Sequence, residues 1–336
     1  MTIANIHKPI MVEEILSFIK DDSSLNVLDC TFGGGGHTKS FLEKDFTVVS
    51  IDKDNNAKEI ANEFKKIGWI VDFVSIGSNK TGQYHDQDLQ LWIQQDLDCD
   101  IALFMDWGRF TSTYLDKNLK PNTFWVQESG DDPQNFERNY PKSERFHLTL
   151  SPDFESTTEY RKRNQDADWW THFADTRVQF PIETKPQYVA VTSRGKGGSA
   201  FLDQLTYHSG GAVGNQNGFN SKEHTEFLNK GLMVIQNSRW GEVTRRIFEG
   251  MACGKMVLCD RLHENKKLHE LFTDGEDIVY YDDIIDCINK MNKYKEDDVE
   301  RERIAKNGYN KVLNNHTQKQ RVEFLIEKYN EWKNSH

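Results

Sequence analysis

Arg239-Trp240-Gly241-Glu242-Val243-Thr244-Arg245-Arg246-Ile247-Phe248-Glu249-Gly250-Met251-Ala252-Cys253-Gly254-Lys255-Met256-Val257-Leu258-Cys259-Asp260 reads as a turn, a helix and a buried strand. The spacing predicts a helix from near Glu242 that carries Val243, Ile247 and Met251 on one apolar stripe and stops at Gly254. Met256 to Cys259 is then a short apolar run, and Leu232 to Gln236 is another ahead of the turn. In a parallel sheet, a strand, loop, helix and strand in succession leave the loop and the helix N-terminus at the carboxyl edge. Unpaired backbone N–H groups there favour a phosphate, so this stretch is expected to hold a nucleotide.

Working outward, 336 residues are long for one domain and comfortable for two, which makes an interdomain cleft possible. The 53 acidic against 42 basic residues give a net charge of -11, which opposes sequence-independent binding to a nucleic-acid backbone. A nucleic-acid acceptor is disfavoured on that ground but stays open. The chain has no apolar run long enough for a membrane span, and Met1-Thr2-Ile3-Ala4-Asn5 does not open a signal peptide. A cytoplasmic protein is the default expectation. The five cysteines, Cys30, Cys99, Cys253, Cys259 and Cys287, contain no CxxC pair and are expected to be buried free thiols rather than disulfides or zinc ligands.

Near the start, Asn26 to Cys30 reads as a strand, Thr31-Phe32-Gly33-Gly34-Gly35-Gly36-His37 as a glycine-rich turn, and Val48 to Ile51 as a second strand ending in Asp52. This segment, with His7-Lys8-Pro9-Ile10, Glu13-Glu14 and Asp52-Lys53-Asp54, resembles the opening of the MraW-type ribosomal-RNA methyltransferases over about residues 7 to 66. The resemblance implies an S-adenosylmethionine site, with the glycine turn (Gly34, Gly35) against the methionine part and the acid after the second strand on the ribose. Glycine-rich first turns are shared by most Rossmann-like sheets, where they allow close backbone approach to any ligand, so the motif by itself leaves the ligand open. Asp52-Lys53-Asp54 also has the Asp-x-Asp spacing of a divalent-metal site, a frequent accident in so acidic a chain, and no metal is expected.

The middle of the chain continues the alternation of strands and helices, with strands expected at Ile101 to Met105, Thr123 to Gln127 and Phe146 to Leu150. Asp131 and Asp132 follow a strand, where carboxylates hold sugar hydroxyls or act as a base, or where Asp132-Pro133 merely caps the next helix. Trp169-Trp170-Thr171-His172 could line a sugar subsite or pack between domains. Pro181 to Pro186 reads as a linker. Tyr188 to Thr192 opens a second domain and runs into Ser193-Arg194-Gly195-Lys196-Gly197-Gly198, whose two cations in a glycine-rich strand-to-helix turn suit a diphosphate without matching a Walker A motif. His208 to Asn220, rich in Gly and Asn, is expected to be a loop.

From about residue 98 the chain resembles the CgeB-like spore-maturation glycosyltransferases, on Ser238, Gly241-Glu242-Val243, Arg246, Phe248-Glu249-Gly250, Ala252-Cys253-Gly254, Asp260, Leu271-Phe272, Gly275-Glu276, Ala305, Gly308, His316-Thr317 and Arg321. The resemblance implies an α/β GT-B fold: two Rossmann-like domains with parallel sheets facing a cleft, here residues 1–181 on the acceptor side, a linker at 182–186, a donor-binding domain at 187–315 and a C-terminal helix at 316–336 crossing back. It implies a UDP- or GDP-sugar donor, with Glu249 on the donor ribose, Arg194 and Lys196 on the diphosphate, Arg245 and Arg246 assisting, and Ser238, Gly241 and Val243 lining the site. A hydroxyl acceptor and transfer with retention are expected, while Asp131, Asp132 or His172 could serve as base on an inverting path. A methyltransferase and an idle carbohydrate-binding protein are the alternatives.

Overall fold

Every strand pair in the structure is parallel, which places all strand ends of one kind along one edge of each sheet. The computed structural model describes residues 26–29, 47–51, 72–74, 100–105, 116–193, 200–216 and 221–336. β1 (Asn26–Asp29), β2 (Thr47–Ile51) and β3 (Asp72–Val74) form a sheet in that order. β4 (Ile101–Met105), β5 (Phe124–Glu128), β6 (Leu148–Ser151) and β7 (Ala167–Trp169) form a second, with α1 (Phe136–Ser143) and α2 (Phe154–Lys162) between its strands.

The third sheet comprises β8 (Tyr188–Ser193), β9 (Val213–Gln216), β10 (Gly231–Gln236), β11 (Met256–Asp260) and β12 (Val279–Tyr281), in the order β12-β11-β10-β8-β9. Its helices are α3 (Ala200–His208), α4 (Ser221–Asn229), α5 (Arg245–Ala252), α6 (Leu268–Leu271), α7 (Ile284–Glu296) and α8 (Asp298–Asn315). Both faces are buried. Val191, Val234 and Val257 pack with Phe227 of α4 and Ile247, Phe248 and Met251 of α5, while Ala190, Met233 and Leu258 pack with Leu202 and Leu205 of α3 and Met291 of α7. Near-continuous apolar runs such as Met256 to Cys259 are what a strand covered on both sides requires.

α9 (Gln318–Ser335) starts at a capping box, in which the Thr317 N–H donates to Gln320 Oε1 at 2.9 Å and the Thr317 side chain accepts from Lys319. It lays Phe324, Leu325, Tyr329 and Trp332 on the β4–β7 sheet beside Phe124, Leu148 and Trp170. Tyr329 donates to Asp100 Oδ1 at 2.6 Å, and Arg321 donates to the Thr171 carbonyl at 3.0 Å and to its hydroxyl. A helix that follows the third sheet in sequence thus clasps the second.

Two expectations need correction. The helix of the opening stretch begins at Arg245, not near Glu242. Gly241 adopts φ +70°, a left-handed conformation that favours glycine, and Glu242 Oε2 accepts the Trp240 N–H at 2.6 Å, so Glu242 closes a turn. The helix ends as its spacing predicts, with Gly254 at φ +70° and its N–H on Met251 O. Within His208 to Asn220, Val213–Gln216 is a strand rather than a loop. The glycine that suggested a loop is needed for packing, because a Cβ on Gly214 would sit 2.8 Å from the Tyr188 ring. Cys253, Cys259 and Cys287 are buried free thiols; Cys30 and Cys99 lie outside the described residues. Among the described residues no helix is long and apolar enough to cross a membrane.

Two predictions follow from the packing. At Gly308, where α8 crosses α5, an added Cβ would meet the Asp277 carbonyl oxygen at 2.6 Å and Met251 Cγ at 3.3 Å. Gly308→Ala is expected to cost about 1–3 kcal/mol, read as a lowered denaturation midpoint. The second concerns acid. Burial lowers His147 to about 4 and His316 to about 4, with nearby Lys117 and Arg321 adding to the effect, and it lowers His172 to about 3 together with Arg245 and Arg321. A depressed imidazole stabilises the fold fully above the ordinary value of 6.5, and that stability is lost as pH falls toward the folded-state values. Each ring contributes a slope of at most about 1.4 kcal/mol per pH unit. The buried carboxyls Asp132, raised to about 6, Glu242 and Asp260 oppose this, while His224, lowered by burial, and the lowered carboxyls of Glu155 and Asp286 act in the same direction as the three rings. Thermal melts are therefore expected to show a falling midpoint from pH 7 to pH 4.5; a flat or rising profile would contradict the assignment.

Candidate functional site

The strand order β12-β11-β10-β8-β9 reverses between β8 and β10, so chains leaving those two strands diverge and open a crevice at the carboxyl edge. Ser193 ends β8 and Gln236 ends β10. α4 and α5 cover the face of Val191 and Val234, and each sends polar side chains to this edge. His224 of α4 meets Ser193 Oγ through Nε2 at 3.0 Å, and its Nδ1 lies 3.7 Å from Glu249 Oε2 of α5. Arg246 Nη1 donates to Gln236 Oε1 at 3.1 Å. Desolvation lowers the Arg246 guanidinium from its ordinary value, opposed by Glu249 and Glu242. Glu249 is therefore held beside His224 while the neighbouring arginine is occupied with Gln236.

Around this cluster the turn is stiffened by its own polar groups. Asp260 at the end of β11 accepts the Ser238 N–H at 2.9 and 3.0 Å and the Ser238 hydroxyl at 2.6 Å, and burial raises its carboxyl. Glu242, also raised by burial, is engaged with Trp240. Val243 is buried in the core, so its side chain is not free to touch a ligand and only its backbone faces the turn. Gly241 has open space where a Cβ would stand. Trp240 is 48% exposed, with Arg239 stacked over its ring at 5.0 Å.

Four buried polar atoms near this edge have no partner, Thr192 Oγ1 in β8, Asn215 Oδ1 in β9, Gln236 Nε2 and Thr244 Oγ1, and the last two flank the turn from β10 into α5. Gln236 Nε2 is a buried donor, and the Thr244 hydroxyl is buried at the N-cap of α5 and makes no side-chain capping bond. Buried polar groups are ordinarily paired, and an uncapped helix N-terminus attracts an anion. Together with Arg245 and Arg246 in the first turn, they form a place that a phosphate or a sugar hydroxyl fits.

The second sheet presents its own carboxyl edge. Asp132 is buried there, accepting from Ser129 at 2.5 Å, Ser151 at 2.9 Å and Asn139 at 3.1 Å, and Asp131 beside it is exposed at φ 60°. Three donors on one buried carboxyl make Asp132 a brace for the loops after β5 and β6. The two indoles, for which a sugar subsite and packing were both open, make packing contacts, with Trp170 edge-on to Phe324 at 5.8 Å and Trp169 edge-on to Phe154 at 5.2 Å. His172 feels the charge of Arg245, which brings the two edges together electrostatically. A direct link joins them as well. Lys266, after β11, reaches Asp153, after β6, at 2.9 Å and Glu155 at 2.8 Å, with Lys266 and Asp153 both buried.

Arg194, Lys196, Gly34 and Gly35, and the Asp52-Lys53-Asp54 triplet, lie outside the described residues. Among the described residues no group of three or more His, Cys, Asp or Glu side chains is arranged to hold a metal. His224 and Gln236 escaped the sequence reading, because a helical histidine and a strand-ending glutamine carry no spacing signal; only the order of the strands brings them to Glu249 and Arg246.

Residues 187–327 match the family model described as Glycosyl transferase-like, and residues 4–91 match the MraW methylase family. Among curated proteins, 12S rRNA N(4)-cytidine methyltransferase METTL15 of Pongo abelii is 37% identical over 68 residues, covering 20% of this chain and 17% of that protein. The chain thus spans under a fifth of that relative. Among solved structures, a glycosyltransferase from Rickettsia africae ESF-5 is similar with a TM-score of 0.60 at 12% identity, covering 91% of this chain and 98% of that one. Anabaena Alr3699/HepE in complex with UDP-glucose is similar with a TM-score of 0.58 at 13% identity, covering 90% and 99%. The fold is GT-B.

The bonding of the turn yields a prediction. Asp260→Ala would leave the Ser238 N–H and hydroxyl without their acceptor, at a cost of about 1–3 kcal/mol. Hydrogen exchange is expected to accelerate over residues 237–244 in this variant, while the amides of β10 stay protected.

Proposed function

We propose that the protein is a glycosyltransferase that moves a sugar from a nucleoside-diphosphate donor, UDP or GDP, to a hydroxyl acceptor. The observation that carries the reading is the crevice at the β8/β10 reversal, where the unpaired Gln236 Nε2 and Thr244 hydroxyl lie at the uncapped N-terminus of α5 beside two arginines. The Glycosyl transferase-like match over 187–327 and the UDP-glucose bound by the similar HepE support it. In this reading Glu249 accepts the ribose hydroxyls, Arg245, Arg246 and the α5 N-terminus neutralise the leaving diphosphate, and Arg194 and Lys196 are assigned to the same diphosphate from the sequence. No metal is required for that neutralisation. A CgeB-like subtype belongs to the same proposal, supported by Arg246, Phe248-Glu249-Gly250 and Ala252-Cys253-Gly254.

Retention of configuration is the stereochemistry we assign. An inverting path needs a base facing the acceptor, and two of the three candidates suit that role poorly. Asp132 is buried under three donors, and His172 at about 3 is a weak base near neutral pH. Asp131 is exposed and is the candidate against which the assignment is tested.

A second reading attaches to the other end of the chain. Residues 4–91 match the MraW methylase family and do not overlap 187–327, so an S-adenosylmethionine site is compatible with the first reading.

A thermal-shift and calorimetry panel of UDP, GDP and S-adenosylhomocysteine tests both. UDP or GDP is expected to raise the midpoint, by a free energy of about 2.7 kcal/mol at a hundredfold excess over Kd. Glu249→Ala is expected to weaken that binding about tenfold or more and to slow donor hydrolysis, and EDTA to leave hydrolysis unchanged. Stabilisation by S-adenosylhomocysteine alone would reverse the order of the readings. Anomeric NMR of the product decides retention.

A further inference from the structure

We propose that His224 is the positioning residue of the donor site, fixing the Glu249 carboxylate and the Ser193 hydroxyl in one arrangement. The inference rests on the donor-site reading above. Ser193 ends β8 and Glu249 sits inside α5, so two different elements bring their polar side chains to the one crevice. From a third element His224 is hydrogen-bonded to Ser193 Oγ through Nε2 at 3.0 Å and brings Nδ1 to 3.7 Å from Glu249 Oε2, within reach of a hydrogen bond after a small side-chain shift. His224 and Glu249 side chains are 15% and 13% exposed, so water competes little for either.

An ionised carboxylate only accepts, so the tautomer that serves Glu249 carries its proton on Nδ1 and accepts the Ser193 O–H at Nε2. Burial lowers the imidazole from its ordinary value; Glu249 opposes this and Arg246 adds to it. The ring is therefore neutral near pH 7. Its work is orientation, because one N–H aimed at Glu249 leaves the remaining carboxylate lone pairs turned toward the crevice, where a vicinal diol would donate to them. Arg246, one turn earlier on α5, does not compete, since its guanidinium is on Gln236.

The test uses the full chain and reads discrimination at the ribose, which a merely structural residue would not change. Calorimetric Kd values are measured for UDP and GDP and for their 2′-deoxy counterparts, with wild type, Glu249→Ala, His224→Ala, His224→Asn and His224→Gln. Wild type is expected to favour the ribonucleotide about tenfold or more, the range of a hydrogen bond to a charged group. Glu249→Ala and His224→Ala should both reduce the ratio to about two. His224→Asn, whose amide nitrogen takes the place of Nδ1, should restore most of it, and His224→Gln, which replaces Nε2, should not. An unchanged ratio in His224→Ala beside a collapsed ratio in Glu249→Ala overturns the proposal and leaves the donor-site reading standing. An unchanged ratio in Glu249→Ala, or no binding to wild type, overturns that reading and this proposal with it. Where His224→Ala does not fold, the Asn and Gln pair decides, and equal ratios in the two overturn the proposal.

Discussion

The reversal of strand order between β8 and β10 is the constraint on which the rest depends, because the connections leaving these two paired strands diverge there and leave a crevice at the carboxyl edge. A second contact turns that opening into a defined site. Gly250 of α5 lies so close to the sheet that its Cβ position is 3.2 Å from Val234 and 3.1 Å from Val257, which seats the helix directly over β10 and β11. One turn earlier on the same face comes Arg246, and it reaches Gln236 at the strand end. Glu249, turned about 100° from Gly250 around the helix, faces α4 and meets His224. The polar geometry of the crevice is thus set by apolar packing two turns deep.

Many polar groups along the two facing edges are bonded to one another, though Thr192 Oγ1 and Asn215 Oδ1 are buried without a partner. Asp260 holds Ser238, Glu242 holds Trp240, Asp132 gathers Ser129, Ser151 and Asn139, and Lys266 joins Asp153 and Glu155 across the halves. The unpaired Gln236 Nε2 and Thr244 hydroxyl are informative because they flank the turn from β10 into α5. Leaving a buried donor unsatisfied costs about 1–3 kcal/mol, a penalty that a ligand removes when it binds.

The third sheet was legible in sequence because each of its core strands is a short apolar run between turn residues, and α5 because Ile247 and Met251 recur at helical spacing. The start of α5 was misjudged since a glutamate near a helix start usually marks its first turn, and Glu242 instead closes the turn before it. β9 was missed because its glycine answers to the Tyr188 ring of a strand 26 residues earlier, a contact no local pattern records. Glu249 was legible through its motif; its partner His224 was not, because the pair exists only after α4 and α5 are laid side by side. Asp132 and Trp170 stood out by residue type, and their roles as brace and packing came from burial that sequence does not state.

Charge illustrates the same difference between chain and site. A net charge of -11 repels an anionic ligand at long range, yet beyond about 8–10 Å that repulsion is screened at physiological salt. Within that distance the α5 end carries Arg245 and Arg246 beside the positive pole of the helix, while Asp260 and Glu242 are engaged with Ser238 and Trp240. The acidic total therefore governs what the outer surface avoids, and the crevice follows its own local field. This is why composition argued against a nucleic-acid backbone, which needs an extended basic surface, while it had no bearing on a nucleoside diphosphate, whose few charges fit inside one Debye length.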